Sequence, residues 1–436
     1  MIGIGLAAGT GERAYPMSRR AGGIKSKATV PFLGRSTIKW TLDEFSAQNV
    51  KEYMMVVKGD ANYEEIKRAI SYGEHRGIRV RFSRPEDDIT NAGSADALLT
   101  NLDRADITDT SLVFPVDSIY DLDWEVMYKL HAERGALITI VGFDCDGRDI
   151  LRKYGMIKWN GDNRVTGFGE KPKTFEEIKE QYPDIELEAI PDLTLVASAG
   201  AYMVDSEQLR KIAASSDKLK AMRDKEFDIG KQLLPWLVEE GYPVFVFRAS
   251  RYGDLGTPHD YLKTMYRCLA GEFESIERVG LGTVYDADRR LFIDETSLEM
   301  KDRETGKTLV KKLEHGDVVL GKNVRVGRYV EVQPGVELDD CNVSDDSTLL
   351  SGARAVRSEL HERCLLGENA SVTDSVLGLN TKVHSSPQYP TRLDHYVFIG
   401  DGASIGTGSS IYNNCIIAPG SEIRPGTRMV MGKISD

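Results

Sequence analysis

The stretch Ile399-GDGAS-Ile405-GTGSS-Ile411-YNNCI-Ile417-APGSE-Ile423-RPGTR-Met429 sets an apolar residue at every sixth position without a slip. The same spacing joins Leu320, Val326, Val332 and Leu338, and glycine follows the apolar residue at Gly321, Gly327, Gly400 and Gly406. A fixed six-residue period predicts a left-handed parallel β-helix of hexapeptide repeats, in which each short strand turns one apolar side chain into a stacked core. The two registers place this domain at 317–436.

Upstream the rhythm changes. Residues 266–316 include the charged stretch Asp294–Lys312, with Lys307, Lys311 and Lys312, and are expected to form a linker or hairpin region. Over 1–265, apolar runs at Ile2–Ala7, Tyr53–Val57, Ser111–Val116, Ala136–Gly142 and Pro243–Phe247 read as strands. Helical spacing at Thr37–Gln48, Tyr63–Ser71 and Trp124–Glu133 falls between them. Strands alternating with helices predict an α/β domain with a Rossmann-like mixed sheet, mostly parallel and covered on both faces.

The formal net charge of -12 argues against a general nucleic-acid binder, whose footprint is basic. It leaves room for small anions held by local Arg and Lys clusters. The five cysteines contain no C-x-x-C pair, which points to a reducing cytoplasm and away from disulfides or structural zinc. No apolar run approaches the roughly 18 residues of a membrane helix. Met1–Gly9 reads as a core strand running into a turn, not as a leader.

That turn is the first motif with chemistry. Leu6-Ala7-Ala8-Gly9-Thr10-Gly11-Glu12-Arg13 follows a strand directly. Its glycines let the backbone approach phosphates, its N–H groups can cradle an anion, and Arg13 adds a permanent charge. It is neither the dinucleotide fingerprint, since the third glycine is absent, nor a P-loop, since no Gly-Lys-Ser/Thr follows. Lys27, in Ser26-Lys27-Ala28-Thr29-Val30-Pro31, is a second cation for the same phosphates, with Lys25 close by. Asp117 closes an apolar strand, where open α/β sheets place ligands.

The string Gly9-x-Gly11-x-Arg13 … Lys27-x-x-Val30-Pro31 resembles the signature of sugar-1-phosphate nucleotidyltransferases, although Ala28 stands where many members have proline. Further matches follow in order: Gly93-Ser94-Ala95-Asp96-Ala97, Val116-Asp117, Tyr154-Gly155, Gly169-Glu170-Lys171-Pro172, Ala197-Ser198-Ala199-Gly200-Ala201-Tyr202 and Tyr252-Gly253-Asp254-Leu255-Gly256-Thr257-Pro258. The resemblance implies transfer of a nucleotidyl group from a nucleoside triphosphate to a sugar 1-phosphate. In it Arg13 and Lys27 are catalytic, and Leu6 to Gly11 with Gly93 and Ser94 hold the nucleotide. Tyr154, Gly155, Glu170, Lys171, Ser198 and Gly200 bind the sugar phosphate, and Asp117 and Asp254 hold Mg²⁺.

For the repeat domain three readings follow. It is a structural module that supports a homo-oligomer, trimer or tetramer. Alternatively it is a second enzyme, since His395-Tyr-Val-Phe-Ile-Gly-Asp401 resembles the acetyltransferase half of bifunctional N-acetylglucosamine-1-phosphate uridylyltransferases. His395 would then be the general base for acetyl transfer from acetyl-CoA to an amino-sugar phosphate. In the third, the chain is a regulatory subunit without chemistry; the presence of Arg13, Lys27, Asp117 and Asp254 counts against it.

Overall fold

The computed structural model describes residues 1–9, 11–21, 23–50, 52–71, 74–75, 77–88 and 91–434. The chain forms two compact units: Met1–Gly9, Thr41–Val116 and Tyr120–Tyr252 in the first, and Thr10–Trp40, Asp117–Ile119 and Gly253–Asp436 in the second.

The first unit is built on one sheet. Its elements are β1 (Ile2–Ala7), α1 (Thr37–Ala47, whose first turn belongs to the other unit), β2 (Glu52–Val57), α2 (Asp60–Ala69), β3 (Ile78–Phe82), α3 (Ser94–Arg104), β4 (Ser111–Pro115), α4 (Trp124–Glu133), β5 (Ile138–Asp146), β6 (Met156–Trp159), β7 (Val165–Gly169), β8 (Thr194–Val204) and β9 (Val244–Arg248). The strand order is β7-β6-β8-β4-β1-β2-β3, with β5 joining β8 to β9. Period-two alternation sends Ile2 and Ile4 into one core with Met54, Val56, Leu98 and Val113. Gly3 and Gly5 face the other way, where a Cβ would strike Tyr53 and Met55. There Phe45, Tyr53, Phe114 and Trp124 meet ring to ring.

A mostly parallel sheet is found only in part. The block β4-β1-β2-β3 and the β5/β9 pair are parallel, but β8 runs antiparallel to β4, β5 and β6. β6 and β7 are joined by a tight turn in which Asn160 Oδ1 accepts the N–H groups of Asp162 and Arg164. A hairpin must be antiparallel.

The second unit carries the repeats. Its inward-facing side chains stack in three columns: Val326-Val343-Leu360-Leu377-Ile399-Ile417, Val332-Leu349-Leu366-Val383-Ile405-Ile423, and Leu320-Leu338-Ala355-Val372-Leu393-Ile411. These columns line a parallel β-helix with a single continuous core. Each fully buried Val, Leu or Ile stabilises it by about 1.5–3 kcal/mol. Hairpin strands Val284–Asp286 and Leu291–Ile293 precede the repeats, and the second pairs in parallel with Val324–Val326. Of the lysines in the preceding charged stretch, Lys307 and Lys312 are paired with Asp317 and Asp302.

The outer wall of the β-helix also has a core. Val376 and Phe398 pack with Met17, Val30, Phe32 and Leu33, and with Leu255, Tyr261, Leu262 and Met265 from around helix Pro258–Leu269. The Lys27 segment and the Asp254 loop therefore share one hydrophobic foundation with the coils.

Candidate active site

The second unit gathers four of the sequence-predicted residues. Asp117 precedes the strand Ser118–Asp121, and its carbonyl accepts the N–H of Leu255 at 3.1 Å, so Asp254 is brought close to it. Asp254 Oδ1 accepts the N–H of Gly256 at 2.7 Å, and the Thr264 hydroxyl donates to the Asp254 carbonyl at 2.9 Å. Lys27, opening the 3-10 turn Lys27–Thr29, places Nζ 2.7 Å from Asp117 Oδ2, with only 17% and 19% of the two side chains exposed. Charge-assisted bonds of this length are the stronger kind.

Arg13 sits in the 3-10 turn Glu12–Ala14, and its guanidinium comes within 3.6 Å of the position a Cβ would take at Gly256. Gly11, with φ 71°, bonds through its carbonyl to the Ser18 hydroxyl at 2.6 Å. A Cβ there would stand 3.2 Å from Lys27 Cγ, so the lysine stem lies against this glycine. Thr10 lies outside the described residues.

The other residues predicted to bind nucleotide or sugar phosphate belong to the first unit. Leu6 and Ala7 end β1, and the Asn62 side chain donates to the Ala7 carbonyl at 2.6 Å. Ala8 follows half-buried. A Cβ on exposed Gly9 would meet nothing within 4 Å, which leaves the backbone approachable. Gly93, with φ 151°, is in a region essentially reserved for glycine, and a Cβ there would lie 2.5 Å from the Phe227 carbonyl oxygen. Ser94 donates its hydroxyl to Asp228 Oδ2 at 2.8 Å and accepts the N–H of Ile229 at 2.9 Å. Asp228 in turn caps the π-helical turn Ile229–Leu233 through the N–H groups of Gly230 and Lys231.

The sugar-phosphate candidates converge on β6, β7 and β8. Gly155 precedes β6 and accepts the Ser198 N–H at 2.7 Å. Ser198 precedes a bulge in β8, where Gly200 turns left-handed (φ 72°) and donates its N–H to the Ser198 hydroxyl. Glu170 follows β7 and pairs with Lys171 at 3.2 Å; the Lys171 side chain is 46% exposed. Its carboxylate is wedged between Gly155 and Gly230, where a Cβ would come within 2.9 and 2.4 Å of it. Burial pushes the Glu170 carboxyl above the ordinary range, Lys171 draws it back, and Asp228 pushes it up further. Tyr154 meets Phe143 edge to face, with Lys153 over its ring.

One residue of this cluster is not marked by the sequence motifs. Asp228 joins the Gly93 loop to the neighbourhood of Glu170; its only local signature is that of an N-cap before an apolar run. Tyr202, which closes the motif begun at Ala197, is buried on β8 and hydrogen-bonds Ser198, and burial pushes its hydroxyl pKa up. His395 stands apart at a left-handed corner of the β-helix (φ 61°), 64% exposed, with Nδ1 3.0 Å from the adjacent Asp394.

All five cysteines are free. Among the described residues no three or more His, Cys, Asp or Glu side chains group as a metal cage, and no helix is long and apolar enough to cross a membrane.

The sequence profile of the nucleotidyl transferase family matches residues 2–270. A UTP–glucose-1-phosphate uridylyltransferase of Synechocystis sp. is 23% identical over 382 residues, 85% of this chain and 89% of that protein. A glucose-1-phosphate adenylyltransferase of Trichlorobacter lovleyi is 26% identical over 421 residues, 93% of this chain and 91% of that protein. A second protein of that name, from Deinococcus deserti, is 24% identical over 382 residues, 80% of this chain and 88% of its own.

Proposed function

This chain belongs to the nucleotidyl transferase family, and from that premise we propose that it joins a nucleoside triphosphate to a sugar 1-phosphate, releasing pyrophosphate and forming a nucleoside-diphosphate sugar. Glucose 1-phosphate is the sugar substrate we favour, because relatives that match most of this chain carry it in their names. We place the reaction in the cytoplasm, to which the cysteine pattern points, and in a homo-oligomer.

The observation that carries the reading is the 2.7 Å contact of Lys27 with Asp117, with Asp254 and Arg13 in the same unit. A sugar-phosphate oxygen attacks the α-phosphorus, and the bond from that phosphorus to the oxygen bridging to the β-phosphate breaks. The attacking phosphate is already ionised, so no general base is needed. Such transfers depend on position and on charge neutralisation. Arg13 and Lys27 supply fixed positive charge for the triphosphate and for the pyrophosphate that leaves. The glycine backbone at Gly9 and Gly11 lets the phosphates come close, and Gly93 and Ser94 line the nucleotide. Lys171 anchors the acceptor phosphate. Glu170 and Ser198 orient the sugar, whose hydroxyls suit a desolvated carboxylate.

The donor set also fits a hard cation. Asp117 and Asp254 offer carboxylate oxygen alone, and two carboxylates completed by water and substrate phosphate are what Mg²⁺ takes, in contrast to an all-protein cage. Bound there, Mg²⁺ would act as a Lewis acid on phosphate oxygens. The Asp117 carboxylate also bonds Lys27 Nζ, at 2.7 Å.

The test is pyrophosphate release from a matrix of ATP, UTP, GTP, CTP and dTTP against glucose, mannose, glucosamine and N-acetylglucosamine 1-phosphates, with Mg²⁺. At least one pair is expected to turn over at about 1–10³ s⁻¹. Silence across the whole matrix would end the reading.

A further inference from the structure

Lys25 lies two residues from the cation assigned to the triphosphate, yet it points elsewhere. Its Nζ is 2.8 Å from Asp401 Oδ2, and only 11% and 13% of the two side chains are exposed. Asp401 is itself fixed, since its Oδ1 accepts the N–H of Leu379 at 2.9 Å from the neighbouring coil of the β-helix. Removing one partner from an ion pair this sheltered leaves a buried charge unmatched, which costs more than at an open surface pair.

The bridge leads back to the phosphate turn. The Lys25 N–H donates to the Ser18 carbonyl at 2.9 Å, and the Ser18 hydroxyl donates to the Gly11 carbonyl at 2.6 Å. The stem of Lys27 rests on Gly11. At the far end of the same segment, Leu33 N–H donates to Glu359 Oε1 at 3.2 Å, and Tyr261 donates its hydroxyl to the Pro31 carbonyl. A Cβ on Gly420 would stand 3.3 Å from the Ala21 Cβ, and Lys433 sits over the Tyr15 ring. Segment Tyr15–Gly34 is thus fastened to coils of the β-helix on both sides of Lys27.

We propose that Lys25 and Asp401 form a clamp by which the β-helix sets the position of Lys27 and the Gly11 turn, so that Lys25 is a positioning residue and not a phosphate ligand. The proposal rests on the assignment of Lys27 to the triphosphate. It gives the repeat domain a task within each chain, separate from any role in assembly.

The test uses the full chain with Lys25→Met, Asp401→Asn and Lys25→Arg. The asparagine keeps an acceptor for the Leu379 amide and removes the charge. Amide hydrogen exchange over residues 26–33 is read beside kcat and the two Michaelis constants. Lys25→Met and Asp401→Asn are each expected to speed exchange in that segment about tenfold and to lower kcat about tenfold, the order that a small misplacement costs. The sugar-phosphate KM stays within about twofold, and Lys25→Arg restores both readouts. Exchange over 26–33 unchanged from the wild type in both single variants would overturn the clamp. So would a rise in the nucleotide KM with kcat intact, which would make Lys25 a ligand after all. If the wild type itself released no pyrophosphate with any substrate pair, the functional reading would fall, and the exchange result would still decide whether the clamp exists.

Discussion

Each unit buries a glutamate whose carboxyl is pushed above its ordinary range by loss of water, and the two are handled in opposite ways. In the sheet unit, Glu170 is caught between Gly155 and Gly230, with a half-exposed lysine beside it. Part of the pair stays open to solvent, with 17% of the glutamate and 46% of the lysine side chain exposed. In the β-helix unit, Glu359 is wholly enclosed, and its Oε1 accepts from Asn342 one coil away and from the Leu33 backbone. Through that one oxygen it ties the Lys27 segment to the coils. A raised carboxyl alone therefore does not mark a site; what faces the carboxylate decides.

The sharpest way to break this comparison is at the charge cluster of the second unit. Asp117→Asn and Lys27→Ala are each expected to lower kcat by about 10³-fold, the scale of losing one well-placed charge at a phosphoryl transition state. Both variants should still fold, since the hydrophobic foundation beneath them is untouched, although each leaves one partner of a sheltered pair unmatched and lowers the melting temperature somewhat. Near-normal turnover in Asp117→Asn would remove that residue from the metal set. A defect of Lys27→Ala confined to the sugar-phosphate KM would exchange its role with that of Lys171.

Next in size is Gly93→Ala. The residue must leave φ 151° or meet the Phe227 carbonyl, and both outcomes shift the Ser94–Asp228 contact. A stability loss of about 1–3 kcal/mol is expected in denaturant titration, with a raised nucleotide KM. A variant as stable as the wild type would show that this loop has slack.

Glu170→Gln should act on the acceptor, raising the sugar-phosphate KM about tenfold while the nucleotide KM stays within twofold. Because the Glu170 carboxyl is raised, the charged form is lost at a higher pH than usual for glutamate as the solution is acidified. The wild-type kcat/KM for sugar phosphate should therefore fall on its acid side above the ordinary carboxylate range, and the glutamine variant should lack that limb. Identical acid limbs would place the titrating group elsewhere.

How legible these features are in the sequence follows from the same contrast. The β-helix announces itself where its coils keep six-residue edges, as from Ile399 to Met429. Between Leu338 and Leu377 one edge of each coil is a residue shorter, as the pairing of Leu338 with Ala355 and of Val343 with Leu360 shows. There a single left-handed residue turns the corner, Asp340, Arg357 or Asp374, where the later corners use the pairs His395–Tyr396 and Asn413–Asn414. The strict period is lost although the column continues. In the sheet unit, β1, β2 and β4 are plain apolar runs, but β8 carries Ala197-Ser198-Ala199-Gly200-Ala201, small residues whose strand character comes from packing. The motif residues can be found one by one, whereas Asp228 and the Lys25–Asp401 bridge depend on contacts across 134 and 376 positions of chain.

The smallest expected effect tests the enclosed glutamate. Burial pushes Glu359 up to about 8, while in the unfolded chain it titrates near 4.3. A raised folded pKa means that stability is fully present below the unfolded value and is lost as pH rises through the folded one. His361, pushed down to about 3 by burial, stays neutral throughout. Its Nε2 lies 3.2 Å from the Tyr261 oxygen. Arg325, the nearest opposite charge, is itself buried and bonded to the Leu281 carbonyl and Asn342. It softens the cost of ionising Glu359 without cancelling it. Wild-type thermal stability should therefore decline from pH 5 to pH 9, and Glu359→Gln should flatten that decline while still accepting the Leu33 amide. Parallel curves for the two proteins would mean that Arg325 fully compensates the charge, and Glu359 would then be an ordinary buried ion pair.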